Sequence, residues 1–575
     1  MPFARTITFS SQPEQPPTSW KERWAFYGFQ FATEAYVVVA LTSFIPITLE
    51  AMARESGRLY PEMTEPCVQH HTNSTSASLD VVSPQRCMLA IGKFYIDTAS
   101  FALYITSLSV FIQALTVVSI SAMADYGSYR KKQLLAFSCL GSVSTMLFGM
   151  IPWVWVVALM AVIANVSFGA SVVCFNAYLP LLVRHDPAIL AREEEIRETE
   201  EEIARLGDSY LQDDHQLAAE KEQALFSMRQ QLELEKGRLS SDTSSRGFAA
   251  GYFGGILMLL VCLFISYKDK SSLRSLKFGI FLSGLWWAIF AFLAGRWLHP
   301  RPGRDLVLET PGSNKRQGAP WTALRYVSYS WQRVGSSIVQ ARKLPNVFAF
   351  LIMWIFTSDG YTTITNVALL FAKTSLRMPQ SGLILLSLIV PICALLGTLA
   401  FPMLQQKLGF DQKQMTLLLL VLLLMVPLYG TLGLVLPFWP KLETTGEMFA
   451  LATWFGFLVG SIQSYCRSIY GALVPRGQES QFFGLYAITD KGSSWLGPLV
   501  VAAITDATHE IRYAFVFLLV LLSLPPPILR WGVDLEQGRL DAEEAARADD
   551  AKAAASLRSA DDADGSSEHA RLLHP

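Results

Sequence analysis

Cys174-Phe-Asn-Ala-Tyr178, running on to Arg184, aligns without a gap against Cys466-Arg-Ser-Ile-Tyr470, running on to Arg476. Each segment closes a long apolar run. A second echo sets Asp125-Tyr-Gly-Ser-Tyr-Arg130 against Leu408-Gly-Phe-Asp411, and the two echoes occur in the same order. The chain therefore reads as two related halves with the same succession of spans. Duplicated halves of this kind place a substrate site between them, near the middle of a bilayer.

Working outward from those marks, 575 residues of which 51% are hydrophobic and 17% charged are too apolar for a soluble protein of this size. A hydrocarbon core about 30 Å thick takes about twenty apolar residues per helix. Candidate spans lie at 27–52, 101–123, 133–151, 153–183, 247–267, 273–297, 345–372, 380–403, 414–436, 447–474, 481–505 and 512–531. The expected fold is an all-α polytopic membrane protein with about twelve transmembrane helices in two six-helix halves. The expected organisation is a cytosolic tail over 1–26, then a first half over 27–297 that holds a lumenal loop at 53–100 and a cytosolic helical insert at 184–246. A cytosolic linker at 298–344, a second half at 345–531 and a disordered cytosolic tail at 532–575 complete it.

An even number of spans puts both ends of the chain on one side, and basic residues choose which. Arg130-Lys-Lys132 and the stretch with Arg301, Arg304, Lys315, Arg316, Arg325, Arg333, Arg342 and Lys343 fall on the side of the termini, which reads as cytosolic. Lys268, Lys270, Arg274 and Lys277 fall opposite and count against the rule. The assignment also sends Cys67, Cys87 and the sequon Asn73-Ser-Thr75 to the lumen, where a Cys67 to Cys87 disulfide and a glycan on Asn73 are expected. The other five cysteines lie in apolar runs and behave as small hydrophobes. Residues 1–23 lack the apolar core of a cleavable signal, so the first span is expected to direct insertion.

In the insert, Ile189, Ile196 and Ile203 recur every seven residues, as do Leu225, Leu232 and Leu239. This predicts a short helical pair or coiled coil with a break at Gly207-Asp208, serving either as a solvated element or as a docking site. Glu568-His-Ala-Arg-Leu572-Leu573 has the acidic dileucine form that sorting adaptors read, so Glu568, Leu572 and Leu573 are the candidate sorting residues.

A charge at the centre of a membrane helix costs about 2.5–3.5 kcal/mol on insertion scales, so ionisable groups inside spans are candidates for function. Here they are Glu34, Asp359, Arg467, Asp490 and Lys491. Glu34 and Asp359 sit in the first and seventh spans, symmetry mates of one another, and are expected to face one cavity. A carboxylate there suits a substrate ammonium group or a proton, while Arg467 or Lys491 suits a carboxylate. The competing reading is that these groups form interhelical ion pairs or that the cations snorkel. Asn165, Asn176, Asn366 and Gln463 are candidates for hydrogen bonds to a zwitterion, or for ties between helices. Gly247, Gly251 and Gly255, four residues apart, predict close helix packing.

The eight histidines lie outside the spans, and no Gly-x-Ser-x-Gly elbow, metal-ligand cluster or phosphate-cradling loop is present. No enzyme, no metal or other cofactor and no nucleic-acid partner are expected. The rivals to a transporter of small solutes are a receptor signalling through residues 184–246 and a carrier of another solute class.

Tyr27-Gly-Phe29, Ala32-Thr-Glu-Ala-Tyr-Val-Val-Val-Ala-Leu-Thr-Ser-Phe-Ile-Pro-Ile47, Ala124-Asp-Tyr-Gly127 and Gly247-Phe-Ala249 through Gly251-Tyr-Phe-Gly-Gly255 resemble the autophagy-related protein 22 family of fungi. The resemblance covers nearly the whole chain. It implies a multi-pass vacuolar-membrane transporter of the major facilitator type that exports amino acids, leucine among them, to the cytosol after autophagic proteolysis, with protons as a second partner if transport is coupled. Against the superfamily pattern Gly-x-x-x-Asp-basic-x-Gly-basic-basic, Ser121 stands at the first Gly and Tyr126 at the first basic position. Asp125 carries over, and the resemblance gives it the role of latching the cytosolic gate through neighbouring helix ends. The fourth-span Arg-x-x-x-Gly is here Asn165-x-x-x-Gly169, so the arginine associated with proton coupling is absent and facilitated diffusion stays open.

Overall fold

The computed structural model describes residues 8–9, 15–59, 65–67, 87–91, 94–209, 215–268, 272–303, 306–307, 344–378, 380–436, 439–440, 442–493, 496–508 and 510–551. Among them, eleven helices are long and apolar enough to cross a membrane. In the first half these are α1 (Trp20–Glu55), α2 (Thr98–Ala124), α3 (Tyr129–Met150), α4 (Val154–Arg184), α6 (His215–Lys268) and α7 (Ser272–Trp297). The polar helix α5 (Pro187–Ser209) precedes α6. The second half holds α8 (Pro345–Thr374), α9 (Gln380–Leu408), α10 (Gln412–Val435), α11 (Thr445–Leu473) and α14 (Ile511–Gly532). The span expected at 481–505 is covered by α12 (Glu479–Ser493) and α13 (Leu496–Thr508), with residues 494–495 between them outside the described residues.

Local sequence sets several of these ends. Ser19 and Glu22 form a reciprocal capping box that starts α1, each side chain taking the other's backbone N–H. Further along, Pro46 has no N–H to give and would crowd the carbonyl one turn earlier. The preceding segment Tyr36–Phe44 accordingly widens to a π-helix, with the Thr42 and Ser43 hydroxyls donating to the Val38 carbonyl at 2.9 and 3.1 Å. Gly409, at φ +67°, supplies the left-handed residue just past α9, and Asp411 then caps α10 by accepting from the Gln414 N–H at 2.6 Å.

Each half has its own apolar core. One draws on α1, α2, α3, α4 and α7, around Phe26, Phe148, Tyr178 and Trp287; the other draws chiefly on α8 to α14, around Phe350, Leu423, Tyr465 and Tyr470. Across the seam, α6 packs on α9 and α11, and α12 packs on α2 and α4. Within the first half, small residues let α6 lie close against α1. A methyl on Gly251 would meet the Gln30 Cγ at 2.9 Å and the Glu34 Cβ at 3.2 Å, and one on Gly255 would meet the Val38 Cγ2 at 3.0 Å. The glycine stripe of α6 is thus the bed in which Gln30, Glu34 and Val38 of α1 lie.

The insert is not separate from the span that follows it. α6 is a single helix of 54 residues, about 80 Å long, whose first half leaves the membrane and packs against α5. Ile189, Ile196 and Leu232 are buried between the two, with Leu225, Met228 and Leu239 beside them. Lys221–Glu202 (2.7 Å), Arg229–Glu200 (2.7 Å) and Lys236–Glu193 (2.9 Å) flank that seam.

The tail from 532 departs from the expected disorder, because residues 535–551 form a further helix, α15. Its alanine-rich sequence favours helix, and Ala542 and Ala546 are buried on docking. Asn346 of α8 donates to Asp541, Gln478 donates to Asp549 at 2.6 Å, and Arg539 pairs with Glu233 of α6 at 3.0 Å. The helix thereby touches both halves.

On the opposite face, β1 (Arg58–Leu59), β2 (Cys87–Ile91) and β3 (Phe94–Asp97) form an antiparallel sheet, and Cys67 is disulfide-bonded to Cys87. Asn73, Glu568, Leu572, Leu573 and most of the linker 298–344 lie outside the described residues.

Candidate functional site

At the end of the bundle that carries the α5–α6 insert, the halves are joined by a buried network. Asp125, just past α2, accepts from the backbone N–H groups of Ser480 (2.7 Å) and Gln481 (2.9 Å), and from Arg130 at 2.8 Å. Glu479, the first residue of α12, takes Arg130 at 3.3 Å and Arg184 at 2.7 Å. The first N–H groups of a helix have no partner inside it and carry the positive end of its dipole, so a carboxylate placed there from the other half is doubly satisfied. Burial works against ionisation of Glu479, but Arg184 and then Arg130 outweigh it and hold its carboxyl below the ordinary value.

The repeat mate of this loop uses a different chemistry. Asp411 caps its own helix, and the neighbouring Gln412 reaches across to α6, its Nε2 donating to the Gly237 carbonyl at 2.6 Å and to the hydroxyls of Ser241 (2.9 Å) and Ser468 (2.6 Å). At this level α6 is mid-helix and its N–H groups are already bonded. A carboxylate would find no donors there, whereas an amide can give hydrogens to a carbonyl and hydroxyls.

Deeper in, Arg467 of α11 is 3% exposed and is held entirely by neutral acceptors of the other half. Its Nε donates to the Ser244 hydroxyl at 2.9 Å and its Nη2 to the Ser244 carbonyl at 3.0 Å. Its Nη1 donates to Gln30 Oε1 at 2.9 Å and to Asn176 Oδ1 at 3.3 Å. The rings of Phe248, Phe26 and Phe175 surround the guanidinium at 4.3, 5.4 and 5.7 Å. Phe175 is the repeat mate of Arg467, so the two copies of the motif meet at the seam. Gly247 leaves the space for this clasp, since a methyl there would sit 3.4 Å from the Arg467 Nη2. Arg467 forms no ion pair among the described residues, and it does not snorkel.

One helical turn beyond Gln30 on α1, Glu34 is half-buried and makes no hydrogen bond or ion pair among the described residues. Lys491 of α12 and Arg467 are the cations whose charge reaches it, and the Tyr252 phenol of α6 lies within the same electrostatic range. Lys491 pairs with Asp490 at 3.2 Å with about half of its side chain exposed. Asp490 in turn accepts from Ser358 and, at 3.2 Å, from Tyr361 of α8.

Asp359 does not join Glu34. Its carboxylate accepts from the Gly497 N–H of α13 at 3.1 Å, within its own half. Asn165 donates to Ser109 at 2.7 Å and ties α4 to α2. Asn366 is exposed, away from these contacts. Of these three asparagines, Asn176 is the one placed at the seam.

Sequence reasoning missed Gln30, Ser244, Tyr252, Ser358, Tyr361 and Glu479. Ser240-Ser241 and Ser244-Ser245, spaced one turn apart, were the available sign of a small polar face, and they lie against Ser464 and Ser468 of α11.

The sequence matches over residues 18–543 the family described as "Vacuole effluxer Atg22 like". Autophagy-related protein 22 of Pyricularia oryzae is 39% identical over 544 residues, covering 92% of this chain and 78% of that protein. Autophagy-related protein 22-1 of Aspergillus fumigatus is 37% identical over 589 residues, covering 93% and 94%. Among solved structures, the major facilitator superfamily proton:xylose symporter XylE bound to 6-bromo-6-deoxy-D-glucose aligns with a TM-score of 0.54 at 13% identity, over 91% of this chain and 99% of that one. A bacterial homologue of the iron transporter ferroportin in an outward-facing state aligns at 0.52 and 11% identity, over 89% and 98%. The fold is that of the major facilitator transporters.

Proposed function

The chain belongs to the family described as vacuole effluxer Atg22 like, and on that premise we propose that this transporter resides in the vacuolar membrane and releases neutral amino acids, leucine among them, into the cytosol by alternating access. The observation that supports the substrate class is the pairing of two incomplete charges on opposite halves. Glu34 carries a carboxylate without a partner among the described residues, and Arg467 carries a buried guanidinium with neutral acceptors only. Gln30 and Glu34 are four residues apart on one helix, which separates the two levels by about 6 Å. A zwitterion donating its ammonium group to Glu34 and presenting its carboxylate to Arg467 spans that gap with two charge-assisted hydrogen bonds.

The bonded cytosolic end corresponds to a state closed to the cytosol, with Asp125 and Glu479 as the latch. Glu34 is also the carboxylate best placed to carry a proton, and coupling then follows from competition between the proton and the substrate ammonium group for one site. The test is release of preloaded labelled leucine from isolated vacuoles that carry or lack the protein. Faster release with the protein present supports the reading; equal release with and without the protein, for leucine and the other neutral amino acids alike, overturns it.

A further inference from the structure

A guanidinium buried at the seam between two moving halves is costly to desolvate, by several kcal/mol on general grounds, and it is ordinarily placed against a carboxylate. Arg467 is placed against none among the described residues. Its four hydrogen bonds run from the second half to three helices of the first, α1 through Gln30, α4 through Asn176 and α6 through Ser244, so separating the halves at this level must break all of them. Each acceptor is neutral. A carboxylate accepts roughly twice as strongly as a neutral oxygen, and an arginine takes it through two parallel N–H bonds.

We infer that Arg467 is an inner cytosolic lock, held shut by the neutral acceptors Gln30, Asn176 and Ser244 and released when the carboxylate of the transported solute takes their place. The lock is separate from the Asp125–Glu479 latch nearer the cytosol, whose carboxylates belong to the protein and are not exchanged for substrate. The neutrality of the clasp is what makes it exchangeable: an aspartate or glutamate in the same position would compete with the solute on equal terms. The lock also restricts what is carried, because a solute without a carboxylate has nothing to offer Arg467. The identity of the solute rests on the amino-acid reading above; the lock itself does not.

Spin labels at Lys132→Cys on α3 and Lys407→Cys on α9, both exposed near the cytosolic end of opposite halves, report separation of the halves by pulsed dipolar spectroscopy. The protein is the full chain in nanodiscs, with its free cysteines replaced. Without solute one short distance is expected. Leucine is expected to add a longer one, and leucinol, which keeps the amine and lacks the carboxylate, is not. Asn176→Ala is expected to raise the long-distance population roughly threefold or more without solute. Asn176→Asp, which gives Arg467 a fixed counter-charge, is expected to hold the short distance even with leucine. A purely structural amide would not move in opposite directions in these two variants.

Distances unchanged in both variants overturn the lock, as does a response to leucinol equal to that to leucine. Opposite shifts in the two variants, together with opening by a carboxylate other than an amino acid, uphold the lock and overturn the amino-acid reading.

Discussion

Asp125 accepts the backbone N–H of Ser480 at 2.7 Å, although 355 residues separate them in sequence and they belong to opposite halves. The bond ties the loop after α2 to the first turn of α12, and Arg130, Glu479 and Arg184 close around it. Every member of the group is buried or nearly so, which makes each single removal expensive and each paired removal cheaper.

Asp125→Asn keeps the shape and removes the charge. One amide oxygen can still accept from one N–H, but Arg130 loses a partner and the helix dipole loses its anion. Transport by the purified variant in proteoliposomes is expected to fall roughly tenfold or more while membrane insertion is retained, since the halves no longer return to the latched state at the normal rate. Fluorescence-detected size exclusion checks the fold.

Glu479→Gln leaves Arg130 and Arg184 without their shared carboxylate. Breaking a buried pair from one side costs about 3–5 kcal/mol, so a clear drop in the apparent melting temperature in detergent is expected. Combined with Asp125→Asn, the loss is expected to be less than the sum of the two, because both variants take a carboxylate from the same Arg130. Full additivity would mean that the carboxylates act independently.

Gly251→Leu drives a side chain into Gln30 and Glu34, where even a methyl would sit 2.9 Å from the Gln30 Cγ. Transport is expected to be lost in this variant. Gly446→Ala, with nothing within 4 Å of the added methyl, serves as the neutral control.

Asp359→Asn tests a revised role. A carboxylate that accepts the Gly497 N–H can be replaced by an amide oxygen that accepts the same bond, at a cost of about 1 kcal/mol. The expected result is a modest loss of thermal stability with transport within a fewfold of wild type, in contrast to Glu34→Gln, where transport is expected to fail.

Much of this was legible in the chain. The spans follow from apolar runs with few charges, and Glu34 and Arg467 stand out because a charge in such a run needs a reason. Residues 535–551 read as disordered on charge, yet alanine favours helix and Ala542 and Ala546 find a surface to dock on, which no local pattern reveals. The same holds for Asp359, whose partner is the backbone N–H of Gly497, 138 residues away. Gln30 and Ser244 were hidden for another reason: amides and hydroxyls in membrane helices are common ties, and only the arrival of Arg467 from the other half gives them a second meaning.

The account turns on a zwitterion site formed by Glu34 and Arg467. Counterflow of labelled leucine into proteoliposomes holding the purified protein, with Glu34→Gln in parallel and xylose as the control solute, tests it most directly. Leucine uptake by the wild type, loss of that uptake in Glu34→Gln and no xylose uptake by either are the predicted result. Equal leucine counterflow in wild type and Glu34→Gln would contradict the site, and an absence of leucine counterflow in both would contradict the proposed substrate.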